Sequence, residues 1–235
     1  MGSINGIAYH SKQIRYNRTP KSRTKKDIKA IVIHYTANYD KKADGKAHFI
    51  YFDGANRNAS ADVFIDDGNI WRINDWTKYY TWAIGDGNGK YGWTNSNTIS
   101  IEMCVNADGD FNKTVANTIA YIRELHKEGY TKTLIRHYDA SRKLCPKMFI
   151  DLSISGYNKA YTDFRNKVFA KEEATNNNNS SNNSKTGYTG ILKESFDKGW
   201  FIGEKYKETD NINFENLCYI LRNFENYMKK KYNLK

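Results

Sequence analysis

One short stretch of the chain, RHYDASRKLCP at residues 136–146, contains a histidine and a cysteine that could both bind a metal ion. His137 and Cys145 lie eight positions apart, and this spacing differs from those of zinc fingers, CxxC redox pairs and HExxH helices. The pair therefore needs a third partner from elsewhere in the chain. His34 is a candidate, because two imidazoles and a thiolate form a three-ligand zinc set that leaves a fourth position for water.

Each of these residues has a more ordinary interpretation when it is taken alone. A single histidine is more often a hydrogen-bonded structural residue than a ligand, and a single cysteine is usually a small core side chain. The zinc hypothesis therefore depends on a fold that brings His34, His137 and Cys145 together.

The first elements that must position these residues follow from the apolar pattern. The β-branched run at residues 30–33 is too short for a helix and predicts a buried strand that ends at His34. The segment ADVFIDDGNIWRI, residues 61–73, predicts a hairpin that turns at residues 67–69.

Two further strands and a helix are predicted later in the chain. TISIEMCV at residues 98–105 predicts a strand with Glu102 on one face, and TLIRHYD predicts a strand that ends at His137. Between them, residues 111–129 predict a helix with Asn112 as a candidate N-cap and Gly129 beyond its end. This alternation indicates an α/β domain with a mixed sheet, whose functional residues cluster at strand ends.

Composition limits the class of protein. The chain has 235 residues, of which 39% are hydrophobic and 14% aromatic, and this predicts a folded protein with a sizeable core. No segment approaches the roughly 20 apolar residues of a membrane span, and the first residues lack a signal-peptide core, so we expect neither feature. Three cysteines do not form a disulfide framework, which favours a reducing compartment.

The net charge of +11 favours a polyanionic partner. The sequence contains no RNP-like strand, no basic recognition helix and no finger pattern, so we do not expect a nucleic-acid-binding protein. Anionic wall polymers or an anionic membrane surface fit the charge equally well. Taken alone, the basic run KSRTKK at residues 21–26 is more often a solvated loop.

A polar segment divides the chain. Residues 171–187, KEEATNNNNSSNNSKTG, predict an Asn- and Ser-rich linker between a module at residues 1–170 and a small C-terminal module at residues 188–235. The C-terminal module contains an apolar stripe from Asn213 onward that predicts a helix. One role open to this module is formation of a homodimer through the helix.

Five blocks of the sequence together resemble a known family. They are AIVIHYTAN, ASADVFIDDGNIWRI, TWAIGDG, NSNTISIEMCVN and RHYDASRKLCP. In this order they resemble the zinc-dependent N-acetylmuramoyl-L-alanine amidases that are related to peptidoglycan recognition proteins. The resemblance runs from about residue 28 to about residue 165. Many members with such a linker and short tail are bacteriophage endolysins, and the resemblance implies cell-wall binding as a second role open to residues 188–235.

The resemblance implies a fold, a reaction and a set of site residues. The fold is a central mixed β-sheet flanked by helices, and the reaction is hydrolysis of the amide between N-acetylmuramic acid and L-alanine of the stem peptide by zinc-activated water. His34, His137 and Cys145 match the Zn²⁺ ligands of the family. Glu102 matches the carboxylate that handles the proton of the attacking water, and Lys143 matches the lysine near the developing oxyanion.

Other positions near the implied metal site are less specific. The candidate substrate-binding residues are Tyr35, Thr36, Asn38 and Trp82. They line the groove or simply pack, and the sequence favours neither interpretation. Asp62 and Ala83 stand where relatives commonly have histidine, so no substrate-contact or proton-transfer role is carried over to them.

Two other functions stay open at this point. One is a metal-free module that only binds peptidoglycan, which the intact ligand set argues against. The other is a cysteine-type cell-wall peptidase with Cys104 as nucleophile and His137 as base. The place of Cys104 within an apolar strand argues against this second function.

The resemblance also implies a biological setting. The expected partner is the peptidoglycan of a Gram-positive bacterium, with anionic wall polymers attracted to the basic surface and no membrane insertion. We expect a phage endolysin to stay in the host cytoplasm until a holin opens the membrane, and then to act on the cell wall.

Overall fold

A computed structural model of the chain describes residues 2–85, 89–152 and 158–170. The predicted linker at residues 171–187 and the predicted C-terminal module at residues 188–235 lie outside these ranges, so both stay predictions. In the described part of the chain, no helix is both long and apolar enough to cross a membrane.

The described residues form strands, α-helices and short 3-10 turns. The strands are β1 (Gly2–Ile4), β2 (Ile7–Ser11), β3 (Arg18–Pro20), β4 (Ala30–Tyr35), β5 (Val63–Ile65), β6 (Asn69–Arg72), β7 (Tyr79–Thr81), β8 (Thr98–Met103) and β9 (Leu134–Arg136). The α-helices are α1 (Gly45–Gly54), α2 (Phe111–Lys127), α3 (His137–Ser141) and α4 (Lys159–Phe169). The 3-10 turns are Asn95–Asn97 and Lys147–Phe149.

Seven of these strands form one mixed sheet in the order β1-β2-β6-β5-β8-β4-β9. The strands β5, β8, β4 and β9 run parallel, whereas β5 and β6 form an antiparallel hairpin. The register places Phe64, Glu102 and His34 side by side on β5, β8 and β4. Three side chains of one face therefore lie in a row across adjacent strands.

Helices cover both faces of the sheet. On one face, Ile119 and Ile122 of α2 and Phe164 of α4 pack with Ile31, Ile33 and Ile101 in the main hydrophobic core. On the other face, Phe49 and Phe52 of α1 pack against a smaller cluster that includes Phe64 and Trp71. β4 is covered on both faces, which accounts for the unbroken run of apolar residues that precedes His34. The predicted central mixed sheet flanked by helices is confirmed.

The predicted elements are confirmed, although the strand predicted over residues 98–105 ends at Met103. Three further corrections concern the ends of the other elements. The strand that holds His34 continues by one residue to Tyr35. The N-cap of α2 is Asp110 and not Asn112, because the Asp110 side chain accepts hydrogen bonds from the main-chain N–H groups of Asn112 and Lys113. Gly129 lies beyond the end of α2 as predicted and has a φ of +86°.

The third correction concerns His137, which was predicted to end a strand. The strand β9 ends at Arg136 and His137 is the first residue of α3. The Asp139 side chain accepts a hydrogen bond of 2.9 Å from the Arg136 main-chain N–H, and this bond closes the first turn of the helix.

Candidate active site

Three side chains that can bind a metal converge at one edge of the sheet. His34 is the last residue but one of the inner strand β4, and His137 follows the neighbouring parallel strand β9. The carboxyl ends of parallel strands meet at the same edge, so the two imidazoles are brought together. Their rings lie 4.6 Å apart between centroids. With Cys145 they form a buried group whose ligand atoms all lie within 4.8 Å of one another.

Two ring nitrogens of this group have no protein partner. His34 Nε2 and His137 Nδ1 are buried, and no group of the described residues forms a hydrogen bond with them. Buried polar atoms are normally bonded, so this pair of unsatisfied nitrogens fits a site that holds a cation. Burial lowers the pKa of His34 well below its ordinary value and lowers the pKa of His137 to about 4, and the charge of Lys143 contributes to both. Both imidazoles are therefore neutral at pH 7, as metal ligands must be.

The loop after α3 folds back and brings Cys145 to the histidines. Arg142 ends the helix with a left-handed φ of 65°. The Tyr138 main-chain N–H then donates a hydrogen bond of 3.0 Å to the Cys145 carbonyl, and the Cys145 N–H donates one of 2.7 Å to the Lys143 carbonyl. Burial, with a smaller contribution from Glu102, raises the pKa of the Cys145 thiol to about 12. A bound metal would favour the thiolate.

An ion pair at the start of α3 fixes the backbone that precedes His137. Arg136 donates hydrogen bonds of 2.7 and 3.0 Å to the two carboxylate oxygens of Asp139. The same guanidinium donates a bond of 2.8 Å to the carbonyl of Phe149. Arg136 therefore ties the helix start to the segment that follows Cys145.

Glu102 lies next to the group of candidate ligands. Its Oε1 is 3.8 Å from His34 Nδ1, and its Oε2 is buried without a hydrogen-bond partner in the described residues. Burial raises the pKa of Glu102 to about 8, although the positive charge of Lys143 opposes the shift. A carboxyl group with such a pKa can both accept and donate a proton near neutral pH.

These residues line a cleft of about 230 Å³. Of the four candidate substrate-binding residues, Tyr35, Thr36 and Trp82 line this cleft. Asn38 is not among its lining residues, and its side chain instead accepts a hydrogen bond of 3.1 Å from the Asp40 main-chain N–H in an exposed turn. Ala83 also lines the cleft.

Several cleft residues were missed by the sequence reasoning. His48 and Phe52 of α1 line the cleft together with Phe64 of β5. His48 lies outside the five sequence blocks that carry the resemblance, so it was not among the candidate site residues. Its spacing of four from Phe52 puts both side chains on one face of a helix, but the helix α1 itself was not predicted.

Asp62 is a structural residue of the interior and does not line the cleft. It is 1% exposed, and its carboxylate accepts hydrogen bonds of 2.8 Å from the Ser100 N–H and 2.7 Å from Asn74 Nδ2. Burial raises the pKa of Asp62, whereas the buried guanidinium of Arg23 lowers it. Arg23 in turn donates hydrogen bonds to the carbonyl oxygens of Trp76, Tyr79, Ser96 and Thr98.

Cys104 is unsuited to act as a nucleophile. It is 1% exposed within the apolar cluster of Phe64, Trp71 and Ile73, and it is not among the residues that line the cleft. Burial raises the pKa of its thiol well above the ordinary value. The thiol is therefore protonated and enclosed, which argues against the cysteine-peptidase alternative.

Comparisons with known proteins agree with this geometry. The chain is 36% identical over 126 residues to the N-acetylmuramoyl-L-alanine amidase CwlH of Bacillus subtilis, a match that covers 52% of this chain and 48% of the relative. It is 35% identical over 126 residues to the N-acetylmuramoyl-L-alanine amidase XlyA of the same organism, and here the match covers 52% of this chain and 40% of the relative. The chain thus matches less than half the length of either curated relative.

Similarity in three dimensions extends over more of the chain. The solved catalytic domain of XlyA is 29% identical, covers 69% of this chain and 99% of its own, and superposes with a TM-score of 0.58. The family model for N-acetylmuramoyl-L-alanine amidase matches residues 24–148, which include all three candidate ligands. The chain therefore belongs to the N-acetylmuramoyl-L-alanine amidase family.

Proposed function

We propose that this protein is a peptidoglycan hydrolase that cleaves the amide bond between N-acetylmuramic acid and L-alanine of the stem peptide. The observation that carries the proposal is the convergence of His34, His137 and Cys145, with ligand atoms within 4.8 Å, beside Glu102 in one cleft. Membership of the amidase family supports the same reaction.

His34, His137 and Cys145 would hold a zinc ion, because two imidazoles and a thiolate are ligands typical of this metal. Zinc supplies Lewis acidity, which polarises an amide carbonyl and makes water acidic enough to attack it near neutral pH. The neutral state of both histidines at pH 7 suits this role. The protonated Cys145 thiol would release its proton when the metal binds.

Glu102 would serve as the general base and then as the general acid. Its unpartnered Oε2 would accept the proton of the attacking water and later deliver it to the leaving nitrogen of L-alanine. The pKa of about 8 supports both transfers, because a group with a pKa close to the working pH gives up a proton as readily as it takes one.

Lys143 would stabilise the negative charge that develops on the carbonyl oxygen. It lines the same cleft, and its positive charge already affects the pKa values of Glu102 and His137. A positive group placed where an oxyanion forms contributes on the order of 3 kcal/mol to the transition state.

Tyr35, Thr36 and Trp82 would contact the sugar or the peptide. The Thr36 hydroxyl is buried and has no partner in the described residues, so it is free to bond to a ligand. The Trp82 indole is held in place by a hydrogen bond of 2.9 Å from its Nε1 to Thr19 Oγ1. A fixed aromatic surface of this kind suits the apolar face of a sugar ring.

We also propose the setting of an endolysin, in which the protein waits in the host cytoplasm, is released by a holin and then reaches the wall of a Gram-positive bacterium. The net charge of +11 supports attraction to anionic wall polymers. Wall binding or dimer formation by residues 188–235 stays a prediction, because these residues lie outside the described part of the chain.

Digestion of purified Gram-positive peptidoglycan, followed by mass spectrometry, tests the proposed reaction. The full-length protein is used as purified, after treatment with a chelator, and after zinc is added back. We expect stem peptides with free L-alanine amino termini, their loss on chelation and their return with zinc. Cuts within the peptide that resist chelation would contradict the proposal, and binding without any cut would indicate a recognition module.

A further inference from the structure

A histidine outside the five sequence blocks that resemble the family lines the same cleft as the candidate metal ligands. His48 belongs to α1, lines the cleft and stacks on Phe64, with 4.8 Å between ring centroids and 12° between the ring planes. Phe64 is the register partner of Glu102, and Glu102 is the register partner of His34. Since adjacent strands lie about 4.8 Å apart, His48 covers the strand next to the one that carries Glu102.

The ring of His48 is held in one orientation and one protonation state. Its Nδ1 lies 2.8 Å from the main-chain carbonyl oxygen of Asp44. A carbonyl oxygen only accepts, so Nδ1 carries the hydrogen and Nε2 has the free lone pair. Burial lowers the pKa of His48, although the bond to Asp44 opposes the shift, and the neutral ring is therefore the form present at pH 7.

The lone pair on Nε2 is available to a ligand. Within residues 2–85, 89–152 and 158–170, no hydrogen bond to His48 Nε2 is formed, and this atom is not among the buried unpartnered ones. The stacking on Phe64 and the bond to Asp44 together prevent the ring from turning away. The cleft thus contains a preorganised hydrogen-bond acceptor that the proposed chemistry does not use.

We propose that His48 Nε2 accepts a hydrogen bond from an N–H or O–H group of the bound muramyl peptide and positions the substrate next to Glu102. The proposal deepens the proposed function, because the identity of the ligand rests on it. The role assigned to His48 is in substrate binding, and proton transfer stays with Glu102.

Two substitutions separate this role from a purely structural one. His48→Phe keeps an aromatic ring on Phe64 but removes the acceptor, whereas His48→Gln places an amide oxygen near the former position of Nε2. Both are made in the full-length chain that also carries Glu102→Gln, so that bound substrate is not consumed. Calorimetry then measures the affinity of the zinc-loaded proteins for a soluble N-acetylmuramoyl-L-alanyl peptide, and circular dichroism measures their melting temperatures.

We expect His48→Phe to weaken binding about tenfold, because the substrate donor is left without a partner. His48→Gln should restore the affinity to within about threefold of the parent, since the acceptor is replaced. In the chain with native Glu102, His48→Phe should raise KM by a similar factor and change kcat little.

An unchanged affinity of His48→Phe would overturn the proposal. It would also be overturned if His48→Gln bound as weakly as His48→Phe, because the acceptor would then not be the cause. The outcome is separable from that of the proposed reaction. Peptide binding that depends on His48, without any cleavage by the native chain, would contradict only the amidase reaction.

Discussion

Replacing Asp62 with alanine should destabilise the protein strongly without changing its chemistry. The substitution removes the acceptor for two buried donors, Ser100 N–H and Asn74 Nδ2, at 2.8 and 2.7 Å. It also leaves the guanidinium of Arg23, which is 5% exposed, without its nearby carboxylate. An unsatisfied buried donor costs about 1–3 kcal/mol, so we expect a loss of about 3–5 kcal/mol, a large share of the roughly 5–15 kcal/mol that stabilises a typical domain.

The measurement is thermal unfolding of the full-length chain, followed by far-ultraviolet circular dichroism. A loss of about 3–5 kcal/mol lowers the midpoint by roughly 6–20 °C in a protein of this size. Because Asp62 does not line the cleft, kcat/KM at a temperature where both proteins are folded should stay within about twofold of the parent.

A double-mutant cycle with Arg23→Met checks the physical reason. If the charges stabilise each other, the double variant should be more stable than the sum of the two single changes predicts. A melting temperature of Asp62→Ala within about 2 °C of the parent would refute the structural role. A large loss of activity at unchanged stability would instead indicate that Asp62 takes part in catalysis.

Three further predictions follow from the site. Glu102→Gln should lower kcat by about 10²- to 10⁴-fold while zinc content, measured by elemental analysis, stays at that of the parent; near-parental turnover would contradict its role as a general base. In the metal-free protein, the pKa of His137 is about 4 in the folded state, below the ordinary value of 6.5. As the pH drops from about 6.5 to about 4, the unfolded chain binds this proton before the folded chain does, so the free energy of unfolding should fall. The test is made in the Glu102→Gln chain, because the raised pKa of Glu102, about 8, would increase stability as the pH falls over part of this interval. In that chain the loss should reach about 3 kcal/mol, with His34 adding in the same direction, and a flat urea-denaturation midpoint would exclude it. Cys104→Ala should keep its activity within about twofold of the parent, and a chain inactivated by this change alone would revive the cysteine-peptidase alternative.

Much of the sheet could be predicted because its signals are local. The strand that holds His34 is a continuous β-branched run, and residues 61–73 pair two apolar segments across a short turn. Such patterns depend on burial of nearby side chains alone. The convergence of His34, His137 and Cys145 was inferred from their strand ends and from the resemblance to the amidases, and the fold brings their ligand atoms within 4.8 Å of one another.

The corrections arise where side chains compete for main-chain groups. The helix start at His137 depends on the Asp139 carboxylate and the Arg136 guanidinium, which a hydrophobic pattern does not report. The cap at Asp110 likewise replaces the expected Asn112, because the carboxylate two residues earlier reaches two free N–H groups. Asn38 was chosen because it follows the strand that holds His34; it does not line the cleft, and its role in substrate binding stays a prediction.

The part of the site contributed by α1 was beyond local sequence signals. This helix packs only part of its surface on the sheet, with Ile50 and Tyr51 exposed, so its apolar residues lack a clear stripe. The contact of His48 with Phe64 joins residues from two elements and depends on the tertiary fold. The positions of His48 and Phe64 along the chain therefore do not predict this contact.

The position of β9 at the edge of the sheet gives the metal site a second, mechanical role. Among the described strands, β9 is paired only with β4, whereas β4 is paired on both sides. A zinc ion shared by His34 and His137 would cross-link the edge strand to the interior and close a loop of about 100 residues. Removal of zinc by a chelator should therefore destabilise β9 before the other strands. Amide hydrogen exchange should then increase at residues 134–136 before it increases in the rest of the sheet.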